Sequence, residues 1–386
     1  MYPNLYYLFK DLFGIDAPFL KIINSFGFFV AISFLVSAWL LGKELKRAES
    51  LGKLGYKETT ITVGGKASIA ELIINFVLGF FLGFKILGVL LIDGALNDPQ
   101  AFIFSKAGSW PLGILFGLFF AGLKWWEKNK ARLPKPEERK VRVWPSDRVG
   151  DITIISAAGG FVGAKIFDNL ENWDRFIQDP IGNLLSPSGL TFYGGLIVAI
   201  LALWYYFHKN GISFIKVADI TAPILLLSYG MGRIGCQVSG DGDWGIDNMQ
   251  RNPHNWLPDW FWSYDYPNNV NMEGVRMPDC DWGNYCNHLA IPVYPTSLYE
   301  IIMATILFLL LWSVRKRIKV TGRIFAIYLV LNGLERVLIE QIRVNTTYNL
   351  FGFHPTQAEI ISTALIITGT LLYIYAPKIW KNKTDR

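Results

Sequence analysis

Charged residues are scarce in this chain. They make up 18% of its 386 residues, below the roughly 25% that is typical of soluble domains. Long uncharged runs recur instead, and 52% of the residues are hydrophobic. A water-soluble chain of this length would have two or three domains, but the apolar runs are too long and too closely spaced for that. The composition predicts an all-α, polytopic integral membrane protein.

Common catalytic and ligand-binding signatures are also missing. The sequence has no P-loop, no dinucleotide-binding glycine fingerprint and no GxSxG elbow. Its four histidines are scattered without metal-ligand spacing, and the DGDWGID segment lacks the spacing and final Glu of a calcium loop. The formal net charge of +6 comes from short loops between apolar runs, which argues against nucleic acid as a partner. We therefore expect no metal and no other cofactor.

Cysteine is rare as well, since the three cysteines are too few for a disulfide framework. Cys280 and Cys286 lie close together in one loop. They can pair if that loop faces an oxidising compartment, so the sequence leaves their pairing open.

Nine apolar runs are candidates for membrane-spanning helices, each of which needs about 20 residues. Glycine and alanine are frequent in the fourth run, which suits close helix packing in a membrane. The nine runs occupy residues 24–42, 70–93, 108–126, 150–168, 188–208, 216–236, 297–315, 321–342 and 357–377.

The distribution of Lys and Arg predicts how these helices are oriented. Loops rich in Lys and Arg alternate with loops poor in them along the whole chain. By the positive-inside rule, this pattern places the amino terminus outside and the carboxyl terminus in the cytoplasm. We expect a single membrane domain over 1–386, with the acidic, Trp-rich segment 237–296 as a small extracytoplasmic head.

Unusual polar residues concentrate at one depth of the predicted bilayer. With the orientation fixed, five separate runs of chain place them in the outer leaflet: Tyr193, Arg233, Tyr299 with Glu300, Arg336 with Glu340 and Arg343, and Gln357. Charges in a bilayer cost about 3 kcal/mol each on insertion scales, and they are normally paired and functional.

The spacing of the charges in the eighth run suggests an anion site. Arg336 and Glu340 are four residues apart and share a helix face, on which Arg343 also falls. One carboxylate beside two guanidiniums leaves a net positive charge, and Arg233 adds to that charge. Guanidiniums bind phosphate in a bidentate way, which fits a lipid phosphate. The alternatives are that arginines near helix ends snorkel to the interface and that Glu300 makes a structural ion pair.

Five motifs, in this order, resemble a known family. They are GDITIISAAGGFVGAKIF, SGLTFYGGLI, GRIGCQVSGDGDWG, YPTSLYE and ERVLIEQIR. The chain is similar to the prolipoprotein diacylglyceryl transferases, the first enzymes of bacterial lipoprotein maturation. The resemblance covers roughly 20–45 and 145–380. Residues 50–140 have no counterpart in the family core, and we interpret them as an inserted pair of transmembrane helices with a basic cytoplasmic loop.

The resemblance implies roles for individual residues. The family's essential signature arginine falls on Arg233, the signature acid on Asp241, and the arginine and glutamate of the penultimate helix on Arg336 and Glu340. Catalytic roles are implied for Tyr193, Arg233, Asp241, Arg336 and Glu340, and phosphate binding for Arg233, Arg336 and Arg343. Supporting roles are implied for Gly194, Gly195, Tyr299, Glu300 and Gln357.

The implied activity is transfer of a diacylglyceryl group from phosphatidylglycerol to the lipobox cysteine of a prolipoprotein signal peptide. The implied setting is the bacterial cytoplasmic (inner) membrane, with membrane lipid as a further partner and the active site towards the outer leaflet. This chain departs from the family at Tyr193, where a histidine is usual, and at Cys236, where an asparagine is usual. These departures keep open a catalytically impaired member that binds lipid or signal peptide. A transporter is also open, although its polar groups should lie nearer the midplane.

Overall fold

Helices account for most of the structure and follow the apolar runs of the sequence. The computed structural model describes residues 1–96, 99–186, 189–345, 348–349 and 354–380. In chain order the helices are α1 Leu5–Phe13, α2 Ser25–Ser50, α3 Ile69–Phe81, α4 Pro99–Phe104, α5 Trp110–Lys130, α6 Val149–Glu171, α7 Trp173–Gln178, α8 Pro180–Leu185, α9 Phe192–Lys209, α10 Phe214–Ser239, α11 Asp259–Trp262, α12 Thr296–Val314, α13 Arg323–Glu340 and α14 Gln357–Ile379.

Six helical stretches are long and apolar enough to cross a membrane. They are α2, α3 with the turns that follow it, α6 with the turn before it, α10, α12 and α14. The other three predicted spans contain helices as well, namely α5, α9 and α13. Four charged residues interrupt the apolar character of α13: Arg323, Glu335, Arg336 and Glu340. The chain is therefore a mostly helical polytopic membrane protein.

Helix α10 is the centre of the fold. It packs against α2, α12 and α13, while α6 pairs with α9 and α13 with α14. Asp219 on α10 fixes the start of α13, because its carboxylate accepts hydrogen bonds from the backbone N–H of Gly322 (2.6 Å) and Phe325 (2.8 Å). This cap fixes the start of α13 against α10, and both helices carry residues of the candidate site.

The region 50–140 contains a helix pair and an unexpected sheet. Strands β1 Lys57–Val63 and β2 Glu137–Val143 form an antiparallel ribbon at the base of α3 and α5. The two helices pack closely, since a Cβ at Gly79 would overlap the backbone carbonyl of Phe116. The sequence analysis treated the strand segments as basic loops, so the ribbon corrects a purely helical expectation.

The segment after α10 forms a small lobe with little regular structure. It contains α11 and the two-residue strands β3 Val275–Arg276 and β4 Asn287–His288. A disulfide joins Cys280 to Cys286. The loop between these cysteines carries Trp282, whose ring stacks 4.5 Å from that of Tyr7 on α1. The disulfide loop thus fastens α1 to the lobe.

We expect reduction of this disulfide to loosen the lobe. Replacing Cys280 with Ser should lower the free energy of unfolding by about 2 kcal/mol, because the closed loop no longer restricts the unfolded chain. The measurement is thermal melting in detergent with and without reductant. Reductant should lower the melting temperature of the wild type and leave that of Cys280→Ser unchanged. An equal response of both proteins would contradict this role of the disulfide.

Candidate active site

The carboxyl end of α10 brings Arg233 next to the turn that follows it. The helix ends at Ser239 and is capped by Gly240, whose φ of 63° lies in the left-handed region that favours glycine. Gly240 donates its N–H to the carbonyl of Cys236 (2.9 Å) and closes the helix. The chain then folds back, so that Asp243 reaches the guanidinium of Arg233.

Glu300, near the start of α12, is the centre of the site. Its side chain is 0% exposed and contacts three guanidiniums. One oxygen, Oε2, lies 2.8 Å from Nε of Arg233. The other, Oε1, lies 3.5 Å from Nη1 of Arg336 and 3.3 Å from Nη1 of Arg343. A single buried carboxylate therefore holds arginines from two helices and the following segment at one point.

Two further carboxylates complete the ion pairs. Asp243 contacts both Arg233 and Arg343, using a different oxygen for each. Glu340 pairs with Arg336 one helical turn away (2.9 Å) and accepts a hydrogen bond from Nδ2 of Asn345 (2.6 Å). We call the set Arg233, Arg336, Arg343, Asp243, Glu300 and Glu340 the arginine cluster.

The charges within the arginine cluster balance. Its three guanidiniums and three carboxylates sum to zero, so the surplus of positive charge inferred from the sequence is not present. The sequence analysis paired one carboxylate with two guanidiniums and kept a structural ion pair of Glu300 as an alternative, which the structure shows. It did not place Asp243 between Arg233 and Arg343. The physical reason is the cost of unpaired charge in a low-dielectric setting, which the fold avoids by pairing each arginine.

Tyr193 joins the cluster from α9. Its hydroxyl lies beside the guanidinium of Arg336, with Glu340 and Arg343 also close enough to interact. Close helix packing sets its position: a Cβ on Gly194 would overlap Phe167 of α6, and one on Gly195 would lie 2.7 Å from the carbonyl of Gly160. The two glycines therefore let α9 approach α6 and present Tyr193 to the arginines.

Asp241 lies next to the cluster rather than within its ion pairs. Burial raises the pKa of its carboxyl, and a hydrogen bond from the Cys236 thiol opposes that rise. Cys236, Asp241 and Asp243 offer ligand atoms within 4.8 Å of one another. Both oxygens of Asp243 contact guanidiniums, however, and that positive charge opposes a metal ion.

Two of the residues predicted to support the site lie elsewhere. The hydroxyl of Tyr299 donates to the carbonyl of Phe261 (2.7 Å), so this tyrosine fastens α11 to α12. Gln357 is exposed at the first turn of α14, and among the described residues no hydrogen bond joins its amide to the arginine cluster. We find no geometric basis for a direct role of either side chain in the site.

Two residues near the cluster were missed by the sequence analysis. Glu335 on α13 is 4% exposed, and the Tyr229 hydroxyl lies 3.5 Å from its Oε1. The ring of Tyr229 also lies 5.1 Å from the guanidinium carbon of Arg233. Each residue had a signal in the sequence. Tyr229 precedes Arg233 by one helical turn, and Glu335 is a further acidic residue in an apolar helix.

Comparison with known proteins decides the family. A profile described as prolipoprotein diacylglyceryl transferase matches residues 109–375, more than half of the chain. The chain belongs to the prolipoprotein diacylglyceryl transferase family. The family match covers α5 to most of α14 and so includes every member of the arginine cluster. The family match begins at residue 109, inside the region 50–140, so it does not define the boundaries of the predicted insertion.

Individual relatives agree with the family assignment. Phosphatidylglycerol–prolipoprotein diacylglyceryl transferase of Vibrio campbellii (strain ATCC BAA-1116) is 28% identical over 273 residues, covering 69% of this chain and 85% of the relative. The proteins of the same name from Vibrio vulnificus (strain YJ016) and Vibrio cholerae (strain M66-2) are 29% and 25% identical. They match 69% and 73% of this chain, and 86% and 92% of their own lengths, respectively.

Proposed function

We propose that this chain transfers the diacylglyceryl group of phosphatidylglycerol to the lipobox cysteine of prolipoproteins. The observation that carries the proposal is the convergence of Arg233, Arg336 and Arg343 on the buried Glu300. Family membership and the names of its bacterial relatives support it. Guanidiniums fixed in this way suit a phosphate at the membrane surface, because their planar forks match its oxygens.

The reaction divides into bond changes that these residues can assist. The cysteine thiol loses its proton, and its sulfur forms a bond to the carbon of the diacylglyceryl group that carries the phosphate. The bond between that carbon and the phosphate oxygen breaks. Glycerol phosphate leaves with the bonding electrons and takes up the proton released by the thiol. Arg233 and Arg336 offset the charge that grows on the departing phosphate, while Glu340 orients Arg336. Tyr193 or Asp241 assists removal of the thiol proton.

We place this site towards the outer leaflet of the bacterial cytoplasmic membrane, with nine spans, the amino terminus outside and the carboxyl terminus inside. The alternation of basic loops supports this topology. The Cys280–Cys286 disulfide supports an extracytoplasmic position for the lobe, since disulfides persist in oxidising compartments. The signal peptide then enters from the side, with the lipid tails among the apolar helices.

Complementation tests the proposed function in cells. Expression of this chain should restore growth and lipoprotein processing to a bacterial strain depleted of its own transferase. A matched strain that expresses Arg233→Ala at equal membrane abundance should not recover. Failure of the wild-type chain to complement, with intact lipid binding by the purified protein, favours the impaired family member, a possibility raised by Tyr193 and Cys236.

Tyr193 provides a sharper test of the chemistry. We expect Tyr193→Phe to lower the transfer rate by about 10- to 100-fold, because it removes the hydroxyl beside Arg336. Tyr193→His should retain more activity than Tyr193→Phe, since imidazole also exchanges protons. The measurement is the rate of thioether formation at saturating lipid. Equal rates for wild type and Tyr193→Phe would remove this hydroxyl from the mechanism.

A further inference from the structure

Asp243 occupies the position that an anionic ligand of the arginine cluster would take. One of its oxygens contacts Arg233 on α10, and the other contacts Arg343 in the segment after α13. A phosphate bridges two guanidiniums in the same manner, with a separate oxygen for each. The carboxylate of Asp243 thus stands where a lipid phosphate is expected to bind.

The two central carboxylates differ in how far solvent or a ligand can reach them. The side chain of Glu300 is 0% exposed and contacts all three arginines. The side chain of Asp243 is 26% exposed and meets two of the same arginines. Glu300 therefore has the position of a permanent counter-ion, while Asp243 lies on the accessible side.

The charge balance requires an exchange when an anion binds. The arginine cluster is already neutral, so a phosphate added without displacement would leave an uncompensated negative charge in a partly buried site. Asp241 lies close by and adds no positive charge. The site stays neutral with a bound phosphate only if one carboxylate moves away from its guanidiniums. Of the two central carboxylates, Glu300 and Asp243, Asp243 is the more accessible.

We propose that Asp243 is a resident competitor for the phosphate site, whose carboxylate leaves Arg233 and Arg343 when a lipid phosphate binds. This inference rests on the proposed function and concerns the same site. The ligand is the phosphate of a phospholipid headgroup. Asp243 lowers the apparent affinity for that ligand and keeps the arginines paired when the ligand is absent.

The displacement needs only a side-chain movement. The carbonyl of Asp243 accepts hydrogen bonds from the hydroxyls of Thr296 and Ser297, both at 2.9 Å, which hold its backbone against the start of α12. A second attachment follows at Gly245, whose N–H donates to the carbonyl of Tyr294 (2.9 Å). Rotation about the Cα–Cβ bond of Asp243 therefore releases both guanidiniums while the loop stays in place.

Lipid binding by variants of the purified full-length chain tests the proposal. The proteins are wild type, Asp243→Asn and the control Asp247→Asn, which alters an exposed aspartate in the same loop outside the arginine cluster. The probes are phosphatidylglycerol and diacylglycerol with the same acyl chains, titrated in detergent at low salt. We expect Asp243→Asn to bind phosphatidylglycerol about tenfold or more tighter than wild type. Asp247→Asn should match wild type, and diacylglycerol should not distinguish the proteins.

Melting temperature provides a second readout in case the variant is unstable. Without lipid, Asp243→Asn should melt below wild type because two guanidiniums lose a charged partner. Phosphatidylglycerol should raise its melting temperature more than it raises that of wild type, and Asp243→Ser should behave in the same way. Equal or weaker phosphatidylglycerol binding by Asp243→Asn, or an equal or smaller melting increment, overturns the proposal.

A parallel transfer assay separates this inference from the proposed function. If wild type forms the thioether but Asp243→Asn binds phosphatidylglycerol no more tightly, the competitor role is wrong and the enzyme assignment stands. If Asp243→Asn binds phosphatidylglycerol more tightly but neither protein forms thioether, the competitor role stands and the transferase assignment is wrong.

Discussion

Replacing Arg233 with lysine is expected to lower the rate of diacylglyceryl transfer by about 100-fold or more. The guanidinium of Arg233 contacts Glu300 and Asp243 at once, which requires donors pointing in different directions. A lysine ammonium keeps the charge but not the planar fork, so it cannot reproduce both contacts or bind phosphate in a bidentate way. The measurement is thioether formation at saturating phosphatidylglycerol, with correct folding checked by thermal melting.

A matched control for this substitution is Arg251→Lys. Arg251 is exposed in the lobe that follows α10 and is not a member of the arginine cluster, so the same chemical change should leave the rate within about twofold of wild type. If Arg233→Lys retained most of the wild-type rate, charge alone would be sufficient at this position. The guanidinium geometry would then have no part in catalysis.

Neutralising Glu300 is expected to have the largest effect on stability. Glu300→Gln keeps the shape of the side chain but leaves three guanidiniums around a neutral amide in a fully buried position. Removing one partner of a buried ion pair typically costs about 3–5 kcal/mol. We expect the melting temperature in detergent to fall by about 5 °C or more, and transfer activity to be lost with it.

Glu335→Gln is the appropriate comparison, because Glu335 is also buried and lies next to Arg336 on α13. Its described side-chain contact is with the Tyr229 hydroxyl at 3.5 Å, so neutralising it removes no ion pair among the residues that the structure describes. The free energy of unfolding should change by less than about 1 kcal/mol. Equal destabilisation by the two substitutions would show that Glu300 has no special role as counter-ion.

Much of the helical architecture is predictable because apolar runs and loop charges are local signals. Helix α10 illustrates the point, since Arg233 marks the site near the end of a run that is still apolar enough to cross a membrane. The ribbon of β1 and β2 was not predictable in the same way. Its strands are separated by α3, α4 and α5 in the chain, and only their pairing across that distance gives them a regular structure.

The three arginines, Glu300 and Glu340 were predictable members of the site, but Asp243 and the charge balance were not. Sequence patterns singled out Arg233, Arg336 and Arg343, and the structure brings all three to Glu300. The family resemblance implied Asp241 as the signature acid, whereas Asp243 makes the ion pairs. That choice depends on the backbone of the turn, where Gly240 and Gly242 adopt positive φ. The spacing of residues in the sequence does not reveal this backbone conformation.

The most direct test of the account is to measure the product of the purified protein acting on phosphatidylglycerol and a lipobox peptide. Mass spectrometry should show a peptide that has gained one diacylglyceryl group on its cysteine, together with released glycerol phosphate. Arg233→Ala, assayed at equal concentration, should form none above background. Absence of the thioether from the wild-type reaction, or an equal yield from Arg233→Ala, would contradict the claim that the arginine cluster carries out this transfer.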